Sequence, residues 1–210
     1  KNSTFRPIYF LDGEEEFFID KIVEQLQQNV VEESFRDFDQ TVLFGGEVGV
    51  PQILEAARRF PMMAPKQLVL VKQGQYLKKV NELLDYAKNP AESTVLVVVY
   101  KGKKIDKRTK EGKELVKVLR ETGVYATFDK VKDYQLPDWI VRYFKTEGVQ
   151  FEGQAAYLLA EYLGNDLHKV VNEVHKMLIS NQTKKFDVSY IQKHVSVSKD
   201  FNNFEFQKAL

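Results

Sequence analysis

The sequence has 210 residues, of which 43% are hydrophobic, so it can form one large domain or two small ones. It contains no cysteine, which excludes both a disulfide framework and a thiolate metal site. No signal peptide is recognisable, and no apolar run approaches the roughly 20 residues of a membrane helix, so we expect a cytoplasmic protein with no membrane partner.

Charge is distributed unevenly along the chain, although the formal net charge is only +1. Residues 1–60 contain 12 acidic and 6 basic side chains, whereas the rest of the chain contains 18 acidic and 25 basic ones. An anionic partner is therefore expected to contact the middle or the end of the sequence.

Strand and helix patterns alternate up to about residue 130. Short apolar or β-branched runs predict strands, and apolar residues at helical spacing predict helices between them. This alternation predicts a parallel sheet with helices on both faces. The predicted strands cover residues 8–11, 35–44, 68–71, 94–100 and 124–128, and the predicted helices begin near residue 15 and cover 50–59, 76–87 and 107–121.

After Asp133 the pattern is helical, with an apolar stripe on the third helix of this part. We therefore expect an α/β domain at residues 1–133 and a small helical lid domain at residues 134–200. Residues 203–210 begin an amphipathic helix and then stop, so residues 201–210 are expected to start a further, truncated domain. The predicted helices cover residues 137–146, 152–163 and 167–178, with one or two turns at 187–194, and the stripe is Leu167, Val170, Val171, Val174 and Leu178.

The turn after the first predicted strand reads Gly13-Glu14-Glu15-Glu16. An α/β domain followed by a helical lid is the outline of an AAA+ ATPase, in which a glycine-rich loop and a lysine hold phosphate at this position. Here the glutamates occupy the helix N-terminus, where they would repel phosphate. Lys101-Gly102-Lys103 follows the strand at 94–100, where a Mg²⁺ site would require acidic residues.

We therefore predict an AAA+-like fold without a functional phosphate loop, with no catalytic residues and no cofactor. From periodicity alone, an unrelated α/β domain with a glutamate-rich turn is an equal alternative. His168, His175 and His194 could in principle bind a metal ion. No carboxylate is spaced to complete such a site, so we predict no metal ligands.

Five groups of residues carry a more specific signal. They are Tyr9 to Phe17, Phe60 to Val71, Lys104 to Arg108, Trp139-Ile140 with Gly148, and Gly164-Asn165-Asp166-Leu167 followed by Asn172-Glu173 and Lys176. In order and spacing they resemble the delta subunit of the bacterial DNA polymerase III clamp loader. The resemblance implies an ATPase-like domain without a working phosphate loop, a helical lid and a C-terminal collar domain, of which residues 201–210 would be the start.

The resemblance also implies that the chain binds the ring-shaped sliding clamp and opens it for loading onto primed DNA. Its partners would be the beta clamp, the ATPase and delta prime subunits of the loader, and primer–template DNA. Family members use two exposed hydrophobic residues ahead of the third strand, and these positions fall on Met62 and Met63. Pro61, Ala64 and Pro65 would complete a stiff, pre-set turn around them.

The Met-Met pair departs from the Leu-Phe that is frequent in the family. Flexible thioethers fit irregular apolar pockets, whereas an aromatic anchor usually contributes more to affinity. Without the resemblance, an apolar pair between two prolines would more often be a packed core loop.

Residues 101–120 contain nine basic and three acidic side chains. One interpretation, slightly favoured, is a solvated helix face that balances the acidic start. The other is sequence-independent contact with DNA phosphates. The alternatives to a clamp-loader function are therefore a divergent nucleotide-binding ATPase and a DNA-binding module that acts through residues 101–120. The candidate phosphate contacts are Lys101, Lys103, Lys104, Lys107 and Arg108.

Overall fold

The computed structural model describes residues 5–180 and 183–195. The chain divides into two units, of which one ends at Lys130 and the other begins at Val131. From the sequence we predict this boundary between residues 133 and 134, which is three residues later. Residues 196–200 of the expected lid and the expected start of a further domain at 201–210 lie outside the described residues.

The first unit contains a five-stranded sheet in which every neighbouring pair of strands is parallel. Its strands are β1 (Ile8–Gly13), β2 (Gln40–Phe44), β3 (Gln67–Lys72), β4 (Thr94–Lys101) and β5 (Val124–Phe128). They lie in the order β2-β3-β4-β1-β5. The helices between them are α1 (Glu16–Asn29), α2 (Arg36–Asp39), α3 (Val50–Arg58), α4 (Leu83–Lys88) and α5 (Lys110–Thr122). The predicted parallel α/β architecture is confirmed.

Helices cover both faces of this sheet, which is why β3 and β4 are almost continuously apolar. Successive side chains of a strand point to opposite faces. Val69, Val71, Leu96 and Val98 accordingly pack with α3, α4 and α5, whereas Leu68, Leu70, Val95 and Val97 pack with α1.

Two predicted elements begin at least five residues later than expected. The strand expected at 35–44 begins only at Gln40, because residues 33–39 form a 3-10 turn followed by α2. The helix expected at 76–87 begins only at Leu83 and is preceded by two 3-10 turns. Lys79 has a left-handed backbone with φ of 56°, which a continuous right-handed helix does not permit.

The second unit contains the helices α6 (Leu136–Lys145), α7 (Ala155–Leu163), α8 (Leu167–Ser180) and α9 (Val188–His194). It also contains a parallel pair of two-residue strands, β6 (Gln150–Phe151) and β7 (Lys185–Phe186), which are too short to produce a recognisable alternation. The predicted stripe of α8 is buried at Leu167, Val170, Val171 and Val174, and Met177 continues it in place of Leu178.

Asn165, part of the sequence signature before α8, has a structural role in this unit. Its side-chain amide donates hydrogen bonds to the carbonyl of Val131 (2.5 Å) and to the carboxylate of Asp133 (2.8 Å). The loop between α7 and α8 is thereby fixed to the segment that enters the unit. Among the described residues, no helix has the length and apolar character needed to cross a membrane.

Candidate functional site

The turn at the end of β1 occupies the position of a phosphate loop, but its backbone donors are already bonded within the protein. The Gly13 N–H donates to the carbonyl of Lys103 (3.0 Å), and the Glu14 and Glu15 N–H groups both donate to the carbonyl of Phe128 (2.8 and 3.0 Å). In a phosphate loop such N–H groups would bind phosphate oxygens. Gly13 has φ of 125°, and a Cβ atom at this position would lie 2.1 Å from the Phe128 oxygen.

Acidic side chains of this turn and of α1 form ion pairs beside it. Glu15 is 2% exposed, and its carboxylate lies 3.6 Å from the Lys130 Nζ. The Lys101 Nζ lies 2.7 Å from Asp20 and 3.2 Å from Glu16. Burial lowers the pKa of Lys101, but its hydrogen bonds with these two carboxylates outweigh burial and raise the pKa above its ordinary value. The lysine at the end of β4 is therefore protonated, and its positive charge is balanced by the carboxylates of α1.

The loop between α3 and β3, residues 59–66, exposes large apolar side chains. We call it the methionine loop. Met62 is 75% exposed, Met63 is 58% exposed and Phe60 is 85% exposed. Neighbouring large apolar side chains that a fold leaves in solvent are a common feature of docking surfaces, so this loop is a candidate for one.

Hydrogen bonds fix the entry to the methionine loop. The Gln67 side chain donates to the carbonyl of Arg59 (2.5 Å) and to the Thr94 hydroxyl (2.9 Å). That hydroxyl in turn donates to the carbonyl of Ala57 (2.8 Å). Gln67 and Thr94 are both buried at the start of their strands, so the end of α3 is bonded directly to the sheet.

Asp39, the last residue of α2, fixes the tip of the same loop. Its carboxylate accepts hydrogen bonds from the backbone N–H groups of Met62 (2.5 Å), Met63 (2.7 Å) and Ala64 (2.6 Å). Asp39 is 2% exposed. Burial raises the pKa of this carboxyl group, but the three N–H donors outweigh burial and leave the pKa below its ordinary value.

The five predicted phosphate contacts have intramolecular partners. Besides the pairs of Lys101, Lys104 is hydrogen-bonded to Asp129, and the Arg108 Nε lies 3.0 Å from Asp106. The Lys107 Nζ lies 4.9 Å from the centre of the Tyr125 ring, and the Lys103 Nζ donates to the carbonyl of Gln75 (3.4 Å). Further basic side chains lie on and just before α5, where a depression of about 420 Å³ is lined by Arg108, Lys110, Lys113, Glu114 and Lys117.

Comparison with known proteins identifies the family. The family described as DNA polymerase III, delta subunit, matches residues 9–128, which is more than half of the chain. The chain belongs to this delta subunit family.

Individual relatives agree with this delta-family assignment. The DNA polymerase III subunit delta of Bacillus subtilis is 28% identical over 187 residues, covering 84% of this chain and 53% of that protein. The probable subunit delta of Aquifex aeolicus is 25% identical over 211 aligned residues, covering 95% of this chain and 58% of that protein. The delta-family chain thus spans little more than half the length of these curated relatives.

A solved structure confirms the fold. The clamp loader delta protein of Bacillus subtilis superposes with a TM-score of 0.76 at 24% identity, over 96% of this chain and 61% of that chain. The predicted fold class, a parallel α/β unit followed by a helical unit, is therefore confirmed.

The structure separates the five predicted clamp-binding residues of the delta-family chain into two groups. Met62, Met63 and Pro65 are exposed and Pro61 is half-buried, whereas Ala64 is buried in the core with Leu68. Ala64 therefore anchors the loop and does not extend the exposed surface. The structure adds two residues that the sequence analysis did not select, Phe60 and Asp39.

Proposed function

We propose that this chain is a non-catalytic clamp-loader subunit that binds a sliding clamp through the methionine loop. The exposed Met62–Met63 pair on a backbone fixed by hydrogen bonds is the observation that carries the proposal. Greater affinity for the open ring than for the closed one would shift the clamp towards the open state, so that it can be loaded onto primed DNA.

The geometry of the loop suits docking. Because its backbone is already ordered, binding would cost less conformational entropy than ordering a flexible loop. The thioether side chains can adapt to an irregular apolar pocket. Phe60 supplies the exposed aromatic ring that the Met-Met pair lacks, so all three side chains are proposed to contact the clamp.

The proposal is tested by measuring the affinity of the 210-residue chain for the sliding clamp of the same organism, using surface plasmon resonance. We expect saturable binding that a peptide carrying residues 59–66 weakly inhibits. Binding that is absent at micromolar concentrations would contradict the proposal.

The chain is further proposed to bind no nucleotide, because the three N–H donors of the Gly13–Glu15 turn are bonded to carbonyls. Partner ATPase subunits would then control access to the clamp. We expect isothermal titration of the chain with Mg-ATP to give only the heat of dilution. Saturable heat would favour the divergent ATPase instead.

A second candidate function, contact with DNA phosphates, is supported by the basic face of α5. Lys110, Lys113 and Lys117 are exposed on successive turns of this helix. Such a face would bind duplex DNA without sequence preference, and its affinity would fall steeply as salt is raised. Contacts to primer–template DNA within the assembled loader would likewise be independent of sequence and sensitive to salt.

Replacing Lys110, Lys113 and Lys117 with glutamine tests this second function. We expect weaker duplex binding and a slope of log K against log salt that is shallower by roughly 2 to 3, since each lost phosphate contact removes about 0.9. The control variant replaces the exposed lysines Lys21, Lys78 and Lys79 and so removes the same charge. Equal effects in both variants, measured by fluorescence anisotropy, would argue against a defined site on α5.

A further inference from the structure

Asp39 and the methionine loop are joined by an unusually complete set of hydrogen bonds. The loop lies more than 20 residues further along the chain, yet three consecutive N–H groups of the loop point at this one carboxylate. Oδ1 accepts from Met62, and Oδ2 accepts from both Met63 and Ala64. Hydrogen bonds of this kind, with a charged acceptor, are stronger than those between neutral groups.

The arrangement determines which groups of the loop face solvent. Because the N–H groups of Met62 and Met63 turn inward to the carboxylate, the loop backbone faces the protein while both side chains stay exposed. The loop also has anchors on either side of the methionine pair, since Gln67 binds the carbonyl of Arg59 and the Ala64 side chain lies in the core. Asp39 thus acts on the tip of the loop rather than on its attachment to the sheet.

The chemistry at this position requires a carboxylate. An ionised aspartate has two acceptor oxygens with about four lone-pair sites, which is enough for three donors. The isosteric asparagine has one acceptor oxygen, and its amide group would point N–H donors at the backbone N–H groups. The three backbone donors also keep the carboxyl group ionised against burial, because together they hold its pKa below the ordinary value.

We propose that Asp39 is a positioning residue for clamp binding, which holds the tip of the methionine loop in the shape that presents Met62 and Met63. This inference rests on the function proposed above. Asp39 is buried and does not reach the clamp itself. Asp39 would increase the fraction of molecules in which the loop has its binding-competent shape. The apparent affinity for the clamp is proportional to that fraction.

The test compares Asp39→Asn with Asp37→Asn, which removes the same charge from an exposed position two residues earlier. We expect Asp39→Asn to weaken clamp binding about tenfold or more through loss of the competent loop shape, and Asp37→Asn to change it less than about twofold. In hydrogen exchange, the Met62, Met63 and Ala64 N–H groups should be protected in the wild type and should lose protection in Asp39→Asn, while β4 stays protected.

A double-mutant cycle separates positioning from a general loss of stability. If Asp39 acts through the methionine pair, adding Asp39→Asn to the Met62→Ala/Met63→Ala variant should weaken clamp binding little further. Additive effects, or wild-type clamp affinity in Asp39→Asn, would overturn the inference and leave the proposed function intact. Wild-type affinity in the double-alanine variant would instead overturn the proposed function.

The exchange measurement on the wild type does not depend on any variant folding. Three carboxylate-bonded N–H groups in a solvent-exposed loop should exchange much more slowly than the N–H groups of Phe60 and Lys66 in the same loop. Fast exchange at Met62, Met63 and Ala64 would contradict the proposed role of Asp39 at once.

Discussion

Replacing both Met62 and Met63 with alanine should weaken binding to the sliding clamp by about 100-fold or more. The two side chains are exposed, so their loss leaves the core of the chain unchanged. In a docked complex they would lie at the centre of a desolvated apolar contact, where each truncation typically costs between 1 and 2 kcal/mol, or roughly tenfold in affinity. The far-ultraviolet circular dichroism spectrum and the melting temperature should not change.

A matched control for this variant is Ile179→Ala, which shortens a highly exposed apolar side chain on α8. It removes exposed apolar surface from the second unit, and we expect its clamp affinity to stay within about twofold of the wild type. Phe60→Ala should weaken binding in the same direction as the double-alanine variant. Clamp binding by the double-alanine variant at wild-type strength would exclude the methionine loop as the docking surface.

Substituting Gly13 with alanine should destabilise the chain by about 3 kcal/mol or more. The residue has a backbone conformation that L-amino acids rarely adopt, and the added Cβ atom would collide with the backbone of Phe128 on the neighbouring strand. Relief of the collision would require β1 and β5 to separate at the turn, which would break the hydrogen bonds of Glu14 and Glu15 as well.

Gly102→Ala distinguishes the collision from backbone strain alone. Gly102 also has positive φ, at 69°, but a Cβ atom there would meet nothing within 4 Å. Its replacement should therefore cost only about 1 to 2 kcal/mol. Urea denaturation followed by circular dichroism measures both variants. Equal urea midpoints for the two variants would mean that the collision with Phe128 adds nothing to the cost of the Gly13 substitution.

The parts of the fold that could be predicted from sequence are those governed by local hydrophobic pattern. The runs at β3 and β4 are apolar because helices cover both faces, and the stripe of α8 follows helical spacing. The predicted strand was wrong at residues 35–39, because the alternation of Phe38, Val42 and Phe44 suggests that it begins earlier than it does. In the structure Phe38 is exposed, whereas Asp39 is buried and accepts hydrogen bonds from a loop that is distant in sequence.

The candidate site could be predicted only in part, because several of its contacts join residues that are distant in sequence. The exposed methionine pair was located through the family resemblance, and its role in clamp binding stays a prediction. Asp39 could not be found, because its partners lie 23 to 25 residues away and no short motif connects them. The count of positive charges in residues 101–120 likewise cannot indicate that Lys101 is neutralised by α1 or that Lys107 stacks on Tyr125.

The closed turn at Gly13, Glu14 and Glu15 has a consequence for signalling within an assembly. In a nucleotide-binding relative, the phosphates complete the hydrogen bonding of this turn, so the shape of the domain reports whether nucleotide is present. Here the carbonyls of Lys103 and Phe128 complete the hydrogen bonding of the turn instead. If the chain binds no nucleotide, as proposed, this domain would not respond to the presence of nucleotide, and the methionine loop would keep the same shape throughout a loading cycle. Under the proposed function, neighbouring subunits would then set the timing by covering or uncovering the exposed methionine loop.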